Sequence, residues 1–185
     1  MLRARTTSGP EPADLGLVRA AKASPDEFAE IYRLYQARVY RYLATRASGP
    51  DEAADLTQTV FLRAFHGLRS YRGPSLAGWL FGIARNAAVD AHRRRRPALP
   101  WEAAPETGNG RSPEDEAIQN ERLESLRALI ADLDTYQRDL LALRFAGELS
   151  AREIAPLVGR SEAAVKKQLT RTISNLREQY RDEPS

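Results

Sequence analysis

The 185-residue sequence contains no cysteine, which excludes disulfide bridges, thiol nucleophiles and thiolate zinc sites. It holds two histidines, which lie apart in the chain, and we find no carboxylate pattern, phosphate loop or metal-ligand spacing. The longest apolar stretch, residues 76–84, is far shorter than the roughly 20 residues of a membrane span. These absences predict a non-enzymatic, cytoplasmic protein without a cofactor, a bound metal or a membrane-inserted segment.

Alternation of apolar and polar residues with a period of two is also lacking, so we predict an all-α fold. Helical periodicity divides the chain into two small domains, residues 23–96 and 119–185. Residues 1–22 show no clear period and are interpreted as a flexible N-terminal arm. The chain has a net charge of +3 and a pI near 9.4, so an uneven spread of charge would create a basic surface.

Residues 97–118, between the two domains, are rich in proline, glycine and acidic side chains. This composition is typical of a flexible linker. Fully extended, such a linker would span roughly 70 Å, which is about two turns of duplex DNA. The domains could then touch separate sites on one duplex, although an ordinary disordered loop remains an alternative.

The first domain contains a turn and a basic helix end that favour nucleic-acid binding. The turn at residues 71–75 precedes a helix that ends in the run Arg93, Arg94, Arg95 and Arg96. Arginine at a helix C-terminus is favoured by the helix dipole, so a structural role is the alternative. Together with Arg85, the run exceeds what capping needs and indicates phosphate binding. Tyr71 is the candidate for stacking on an unpaired base, whereas Trp79 is interpreted as core.

A second set of polar residues in this domain lies off the apolar stripe of its helix, namely Asp55, Gln58, Thr59 and Arg63. Taken alone, these residues fit a solvated face better than a partner surface.

The second domain carries a helix-turn-helix pattern. Ser150 and Glu153 form a predicted capping box, Gly159 ends that helix, and Ser161 begins a longer one. Val165 and Leu169 start the buried stripe of the longer helix, and its opposite face holds Ala163, Lys166, Lys167, Thr170 and Arg171. In this motif the second helix enters the major groove, where lysine and arginine read guanine or bind phosphate. A plain three-helix bundle with a solvated basic face is the alternative, and Pro156 is expected to bend the first helix.

Both domains, in this order, resemble the extracytoplasmic-function (ECF) group of bacterial sigma factors. The resemblance rests on residues 55–64 (DLTQTVFLRA), 79–86 (WLFGIARN), 152–155 (REIA) and 164–166 (AVK), with Leu169 and Arg171 at the family's spacing. Thr59 departs from the acidic residue that is usual in the family.

The resemblance implies a role for each surface. Asp55, Gln58, Thr59 and Arg63 would bind core RNA polymerase at the β′ clamp helices, and the C-terminal domain would meet the β flap. The −10 element would be melted and held, as duplex and single strand, by Tyr71, Arg72, Gly73, Ser75, Arg85 and Asn86. Arg93–Arg96 would grip phosphates. The −35 element would be read by Glu162, Ala163, Lys166, Lys167, Thr170 and Arg171. An anti-sigma factor is the expected protein partner.

Three other functions remain as alternatives. A helix-turn-helix regulator that acts without polymerase would leave the first domain unexplained. An enzyme would need a site that the sequence does not offer, and a structural adaptor would show no specific DNA binding.

Overall fold

The computed structural model describes residues 12–94 and 113–182. Within these ranges the regular structure is helical and includes no strand. The α-helices are α1 (Pro12–Ala23), α2 (Phe28–Ala44), α3 (Pro50–Gly67), α4 (Leu76–Arg94), α5 (Pro113–Ala131), α6 (Thr135–Leu141), α7 (Ala151–Val158) and α8 (Glu162–Asp182). We refer to residues 12–94 as the N-terminal domain and to residues 113–182 as the C-terminal domain. The all-α prediction with a C-terminal helix-turn-helix is confirmed.

Two predicted boundaries are wrong. Residues 12–22, assigned to a flexible arm, belong to α1, whose Val18 and Ala21 are 7% and 8% exposed against the core. The apolar stripe of α1 was not predicted, because it is too short to show a helical period. Residues 113–118, assigned to the linker, begin α5, in which Pro113 occupies the first helical position and acidic residues follow it. The parts of both predictions that concern residues 1–11 and 97–112 lie outside the described residues.

The N-terminal domain is built around the apolar stripe of α2. Ile31, Val39 and Leu43 are essentially inaccessible to solvent, and α3 and α4 cover them with Val60, Leu80 and other apolar side chains. Phe28 packs edge-to-face on the Phe61 and Phe65 rings at 6.5 and 5.2 Å between ring centroids. Such pairs add about 0.5–1.5 kcal/mol each to the stabilisation from burial. This packing fixes the outer faces of α3 and α4 in space.

Caps define the C-terminal domain. Capping boxes join Asp134 to Gln137 at the start of α6 and Ser150 to Glu153 at the start of α7. Gly159 takes a left-handed conformation (φ 65°) after α7, as the C-cap prediction required. Pro156 lies on the exposed side of α7, and the helix continues to Val158. After α6 the chain widens into a π-helical segment, Ala142–Ala146, before the turn to α7.

The two domains share one continuous apolar core. Glycines mark their points of close approach. A Cβ on Gly82 of α4 would lie 3.5 Å from Leu157 Cδ2 of α7, and a Cβ on Gly147 would lie 2.7 Å from Phe81 Cε1. The contact at Gly82 would be an ordinary one, whereas a Cβ on Gly147 would overlap the Phe81 ring, so the approach at Gly147 depends on glycine.

Candidate nucleic-acid interface

The basic face of α8 is open to solvent. Val165 and Leu169 are buried, while Ala163, Lys166, Lys167, Thr170 and Arg171 are exposed on the other side. Ser161 Oγ accepts a hydrogen bond from the Ala164 amide at 3.2 Å and so starts the helix. Glu162 pairs with Lys166 one turn later, at 2.6 Å. A duplex groove could therefore meet this face without any rearrangement of the helix.

The outer face of α3 is the second open surface. Asp55, Gln58 and Arg63 are exposed, and Thr59 is half-buried. Arg63 Nη1 lies 3.6 Å from Asp90 Oδ2 of α4, which is a solvent-screened pair. Leu62, which is 55% exposed, lies beside them and was not among the residues predicted for this surface. Its position outside the buried stripe of α3 was the available signal.

The prediction that Tyr71 stacks on a base required this side chain to be exposed at the turn of residues 71–75. The structure instead buries it. The Tyr71 side chain is 6% exposed, and its ring packs against the Trp79 ring at 5.0 Å between centroids. Gly73 leaves room for this ring, because a Cβ there would lie 2.8 Å from Tyr71 Cε2. Burial raises the pKa of Tyr71, as does the charge of Asp14. In this arrangement no base can stack on the ring.

Helix α1 contacts the same turn through the side chain of Lys22. Lys22 Nζ donates a hydrogen bond to the Tyr71 carbonyl at 2.6 Å and lies 5.7 Å from the centre of its ring. The contact joins residues 49 positions apart in sequence. Because α1 was predicted to be a flexible arm, Lys22 was missed.

Of the remaining residues of the predicted −10 surface, some are exposed to solvent and others are hydrogen-bonded to the C-terminal domain. Arg72 and Asn86 are exposed. Ser75 Oγ donates a hydrogen bond to Glu153 Oε1 of α7 at 2.7 Å, and Arg85 Nε donates to Asp139 Oδ2 of α6 at 3.0 Å. The C-terminal domain thus covers part of this surface.

The end of α4 places Arg93 and Arg94 in solvent. Arg94 Nε donates to the Asp90 carbonyl at 3.2 Å, which satisfies one of the last carbonyls of the helix. Arg95 and Arg96, the other members of the predicted phosphate-binding run, lie outside the described residues.

Asp139 is the buried charge at the centre of the domain interface. It is 7% exposed, and Arg46 and Arg85 bind its two carboxylate oxygens. Tyr42 points its hydroxyl at the same carboxylate, 3.4 Å away. Burial raises the pKa of Tyr42 strongly, with Arg46 opposing the shift and Asp139 adding to it. No sequence motif singled out Asp139, because a single carboxylate in a short helix carries no pattern.

The described residues contain neither a cluster that could hold a metal ion nor a helix that could span a membrane. No group of three His, Asp or Glu residues among them is placed to hold a metal ion. No helix in residues 12–94 and 113–182 is both long and apolar enough to cross a membrane.

Comparison with known proteins decides the family. A model of Sigma-70 region 2 matches residues 31–98, and a model of Sigma-70 region 4 matches residues 123–181. The ECF RNA polymerase sigma factor SigM of Bacillus subtilis is 31% identical over 153 residues, which cover 82% of this chain and 93% of SigM. The chain belongs to the ECF RNA polymerase sigma factors. It is therefore a transcription initiation factor rather than a regulator that acts without polymerase.

Other relatives of this ECF sigma factor agree. BldN of Streptomyces coelicolor, also an ECF sigma factor, is 33% identical over 163 residues, which are 85% of this chain but 62% of BldN. SigW of Bacillus subtilis is 28% identical over 87% of this chain and 92% of SigW. Sigma factors are initiation factors without enzymatic activity of their own, which agrees with the absence of a predicted catalytic site.

Solved structures show the same fold. The sigma factor RpoE of Bartonella quintana, solved with the anti-sigma factor NepR, matches with a TM-score of 0.67 at 21% identity, over 85% of this chain and 99% of that one. CnrH, solved with the cytosolic domain of CnrY, matches with a TM-score of 0.66 at 20% identity, over 93% of this chain and 99% of that one.

Proposed function

We propose that this ECF sigma factor places core RNA polymerase on promoters through two separate DNA surfaces. The −35 surface is the outer face of α8, with Glu162, Ala163, Lys166, Lys167, Thr170 and Arg171. The observation that carries the proposal is the division of α8 into a buried apolar stripe and an open basic face. Lysine and arginine on such a face supply phosphate contacts, which position the protein, and base contacts, which select sequence.

The −10 surface consists of the turn at residues 71–75 and the adjoining face of α4. Arg72 and Asn86 are exposed there, and Ser75 and Arg85 would complete the surface once the C-terminal domain moves away. Arg93–Arg96 would hold nearby phosphates. Extruding a base costs a few kcal/mol, and a pocket that accepts the base recovers this cost. Tyr71 supports the turn from inside, so the polar groups of the turn would contact the base.

The outer face of α3 is the proposed docking surface for polymerase. Asp55, Gln58 and Leu62 follow one another at three- and four-residue spacing, so one partner helix can touch all three. Arg63 borders this stripe, and the half-buried Thr59 lies within it. The partner elements are the β′ clamp helices for α3 and the β flap for the C-terminal domain. These partners would place the protein in the cytoplasm.

An anti-sigma factor is the proposed regulatory partner. RpoE of Bartonella quintana, which shares the fold, was solved with one. The exposed apolar side chains of α3 and of the π-helical segment, Leu62 and Phe145, offer contact area for such a protein.

Run-off transcription with core polymerase and a library of promoter sequences tests the proposal. The holoenzyme should enrich templates that share two short elements separated by a fixed spacing. Start sites no more selective than those of core polymerase alone would contradict it. Copurification of the chain with core polymerase separates a sigma factor from a regulator that binds DNA by itself.

A further inference from the structure

We propose that Lys22 of α1 is a positioning residue for promoter recognition, because it fixes the turn at residues 71–75 without touching DNA itself. Its ammonium group holds the turn in the shape in which the exposed side chains of the turn meet the −10 element. This inference rests on the −10 role proposed for the turn. It adds α1 to the promoter-reading part of the N-terminal domain and gives Lys22 an indirect role in base selection.

The contact of Lys22 with the turn is short and partly shielded from water. Lys22 is half-buried, and its Nζ donates a hydrogen bond to the Tyr71 carbonyl at 2.6 Å. The same Nζ lies 5.7 Å from the centre of the Tyr71 ring, within the range of a cation–π contact. Hydrogen bonds from a charged donor are about twice as strong as neutral ones. One side chain of α1 thus contacts both the backbone and the ring of the residue at which the turn begins.

The turn depends on side chains for its shape. The backbone hydrogen bonds that it makes within the described residues lie at its two ends, where the Tyr71 amide donates to the Leu68 carbonyl and the Ser75 carbonyl accepts from the first turn of α4. Pro74, between these ends, has no amide hydrogen to donate. The middle of the turn therefore depends on side-chain contacts, and the hydrogen bond from Lys22 anchors it to a separate helix.

The Tyr71 carbonyl also connects Lys22 to an exposed cation of the turn. Arg72 Nη1 donates to this carbonyl at 2.9 Å and to the Arg69 carbonyl at 2.8 Å. A carbonyl oxygen has two lone pairs, so Lys22 and Arg72 together saturate that of Tyr71. Arg72 Nη2 and Nε make no hydrogen bond within the described residues, which leaves them for a base or a phosphate of the −10 element. A shift of this carbonyl after the loss of Lys22 would therefore move the guanidinium that meets DNA.

Helix α1 is itself fixed to the domain, so it can serve as the base of this contact. Val18 and Ala21 are buried in the core. The Tyr35 hydroxyl of α2 donates a hydrogen bond to Asp14 Oδ1 at 3.2 Å. Lys22 lies in the last turn of α1, where a cation is also favoured by the helix dipole. A dipole effect would alter only stability, whereas a positioning effect also alters how the turn reads DNA.

The first test follows the turn itself, without polymerase. Trp101→Phe leaves Trp79, whose indole packs on the Tyr71 ring, as the single tryptophan of the full chain. In that background acrylamide should quench Trp79 more strongly in Lys22→Met, which keeps an unbranched side chain but removes the charged donor. Arg19→Met, which removes a nearby exposed cation of α1, is the matched control and should leave the quenching unchanged. Equal quenching with and without Lys22→Met would overturn the anchoring of the turn.

The second test measures base selection by the holoenzyme. Pairs of competing templates that differ by one base of the −10 element give discrimination as the ratio of their run-off products. Lys22→Met should reduce the largest of these ratios about tenfold, the size expected for the loss of one charge-assisted hydrogen bond. Lys22→Arg, which can still donate to the carbonyl, should retain most of the discrimination, and Arg19→Met should retain all of it.

The ratio separates positioning from stability, because a destabilised chain loses both products equally. An unchanged ratio in Lys22→Met would therefore overturn the positioning role, as would an equal loss of discrimination in Arg19→Met. The unmutated chain distinguishes this inference from the proposed function. If it shows no −10 discrimination, the proposed function fails together with the role of Lys22 in base selection. If it discriminates and Lys22→Met discriminates equally well, this inference fails alone.

Discussion

The two proposed DNA surfaces of this sigma factor differ in what covers them. The basic face of α8 is exposed along nearly three turns, and the ion pair on it, Glu162–Lys166, is internal to the helix. The −10 surface is partly buried under the other domain, with Ser75 on Glu153 and Arg85 on Asp139. The first proposed surface is therefore open in this structure, whereas two residues of the second are hydrogen-bonded to the C-terminal domain.

The difference follows from how each surface is made. The α8 face depends on a single helix, so its composition and period determine it. The −10 surface depends on contacts between residues 54 and 78 positions apart in sequence. A surface of the second kind therefore depends on where the two domains lie, whereas one of the first kind depends on its own helix alone.

The largest expected effect comes from removing the open surface. Lys167→Ala combined with Arg171→Ala should cost about 2–6 kcal/mol of −35 binding, since each lost base contact costs about 1–3 kcal/mol. Fluorescence anisotropy with holoenzyme and a duplex carrying the selected −35 element measures the loss. Arg177→Ala, another exposed cation of α8, is the matched control and should change affinity little. Similar losses for Arg177→Ala would mean that general charge, not the proposed face, binds the DNA.

The next effect distinguishes a structural role of Tyr71 in the N-terminal domain from a role in stacking on a base. Tyr71→Ala should destabilise the N-terminal domain by about 2–4 kcal/mol, because it removes a buried ring from Trp79 and leaves a cavity. Tyr71→Phe should keep both stability and promoter opening. Urea unfolding and permanganate reactivity of promoter thymines are the two measurements. If Tyr71→Ala abolished opening while unfolding stayed unchanged, the ring would be a base-stacking group after all.

The contrast between features set within one helix and features set by long-range contacts also explains which predictions from the sequence succeed. The helices, the two capping boxes and the left-handed Gly159 follow from local rules, and so does the exposed face of α8. Tyr71 was predicted to be exposed because a turn is usually at the surface, yet Gly73 and Trp79 let its ring turn inward. Sequence spacing cannot show which way a turn side chain points.

The boundaries failed for a related reason. Helix α1 buries two small side chains against a core made elsewhere, so its own pattern is weak. Asp139 gains its importance from Arg46 and Arg85, which stand far from it in the chain. Long-range pairing of single residues leaves no period and no motif.

A smaller effect concerns the other open face, on α3. Asp55→Ala combined with Gln58→Ala should weaken core polymerase binding by about 1–3 kcal/mol, the range for a truncated contact residue at an interface. A titration of core polymerase measures this change. Asp51→Ala with Gln36→Ala removes the same two residue types from other exposed positions and should bind normally. Equal affinity of both double variants would exclude α3 as the docking surface.

The smallest effect at neutral pH is expected from Tyr42, whose hydroxyl lies against Asp139 at the domain interface. The folded-state pKa of Tyr42 is raised above the usual value of 10, chiefly by burial. The contribution of the Tyr42 phenol to the free energy of unfolding is fully present below pH 10. Above pH 10 the unfolded phenol loses its proton while the folded one keeps it, so the free energy of unfolding should fall by about 1.4 kcal/mol per pH unit from this residue. Tyr42→Phe should make the slope shallower by that amount between about pH 10.5 and pH 12.

Urea unfolding at several pH values measures the slope, with pH 7 as the internal control. At pH 7 the two proteins should differ by about 1 kcal/mol or less, because the Tyr42 hydroxyl is a weak 3.4 Å partner of Asp139. An unchanged alkaline slope in Tyr42→Phe would mean that the phenol reaches water, as it would if the domains were already apart. Hence the pH profile reports, without any promoter, whether the C-terminal domain covers this side of the N-terminal domain.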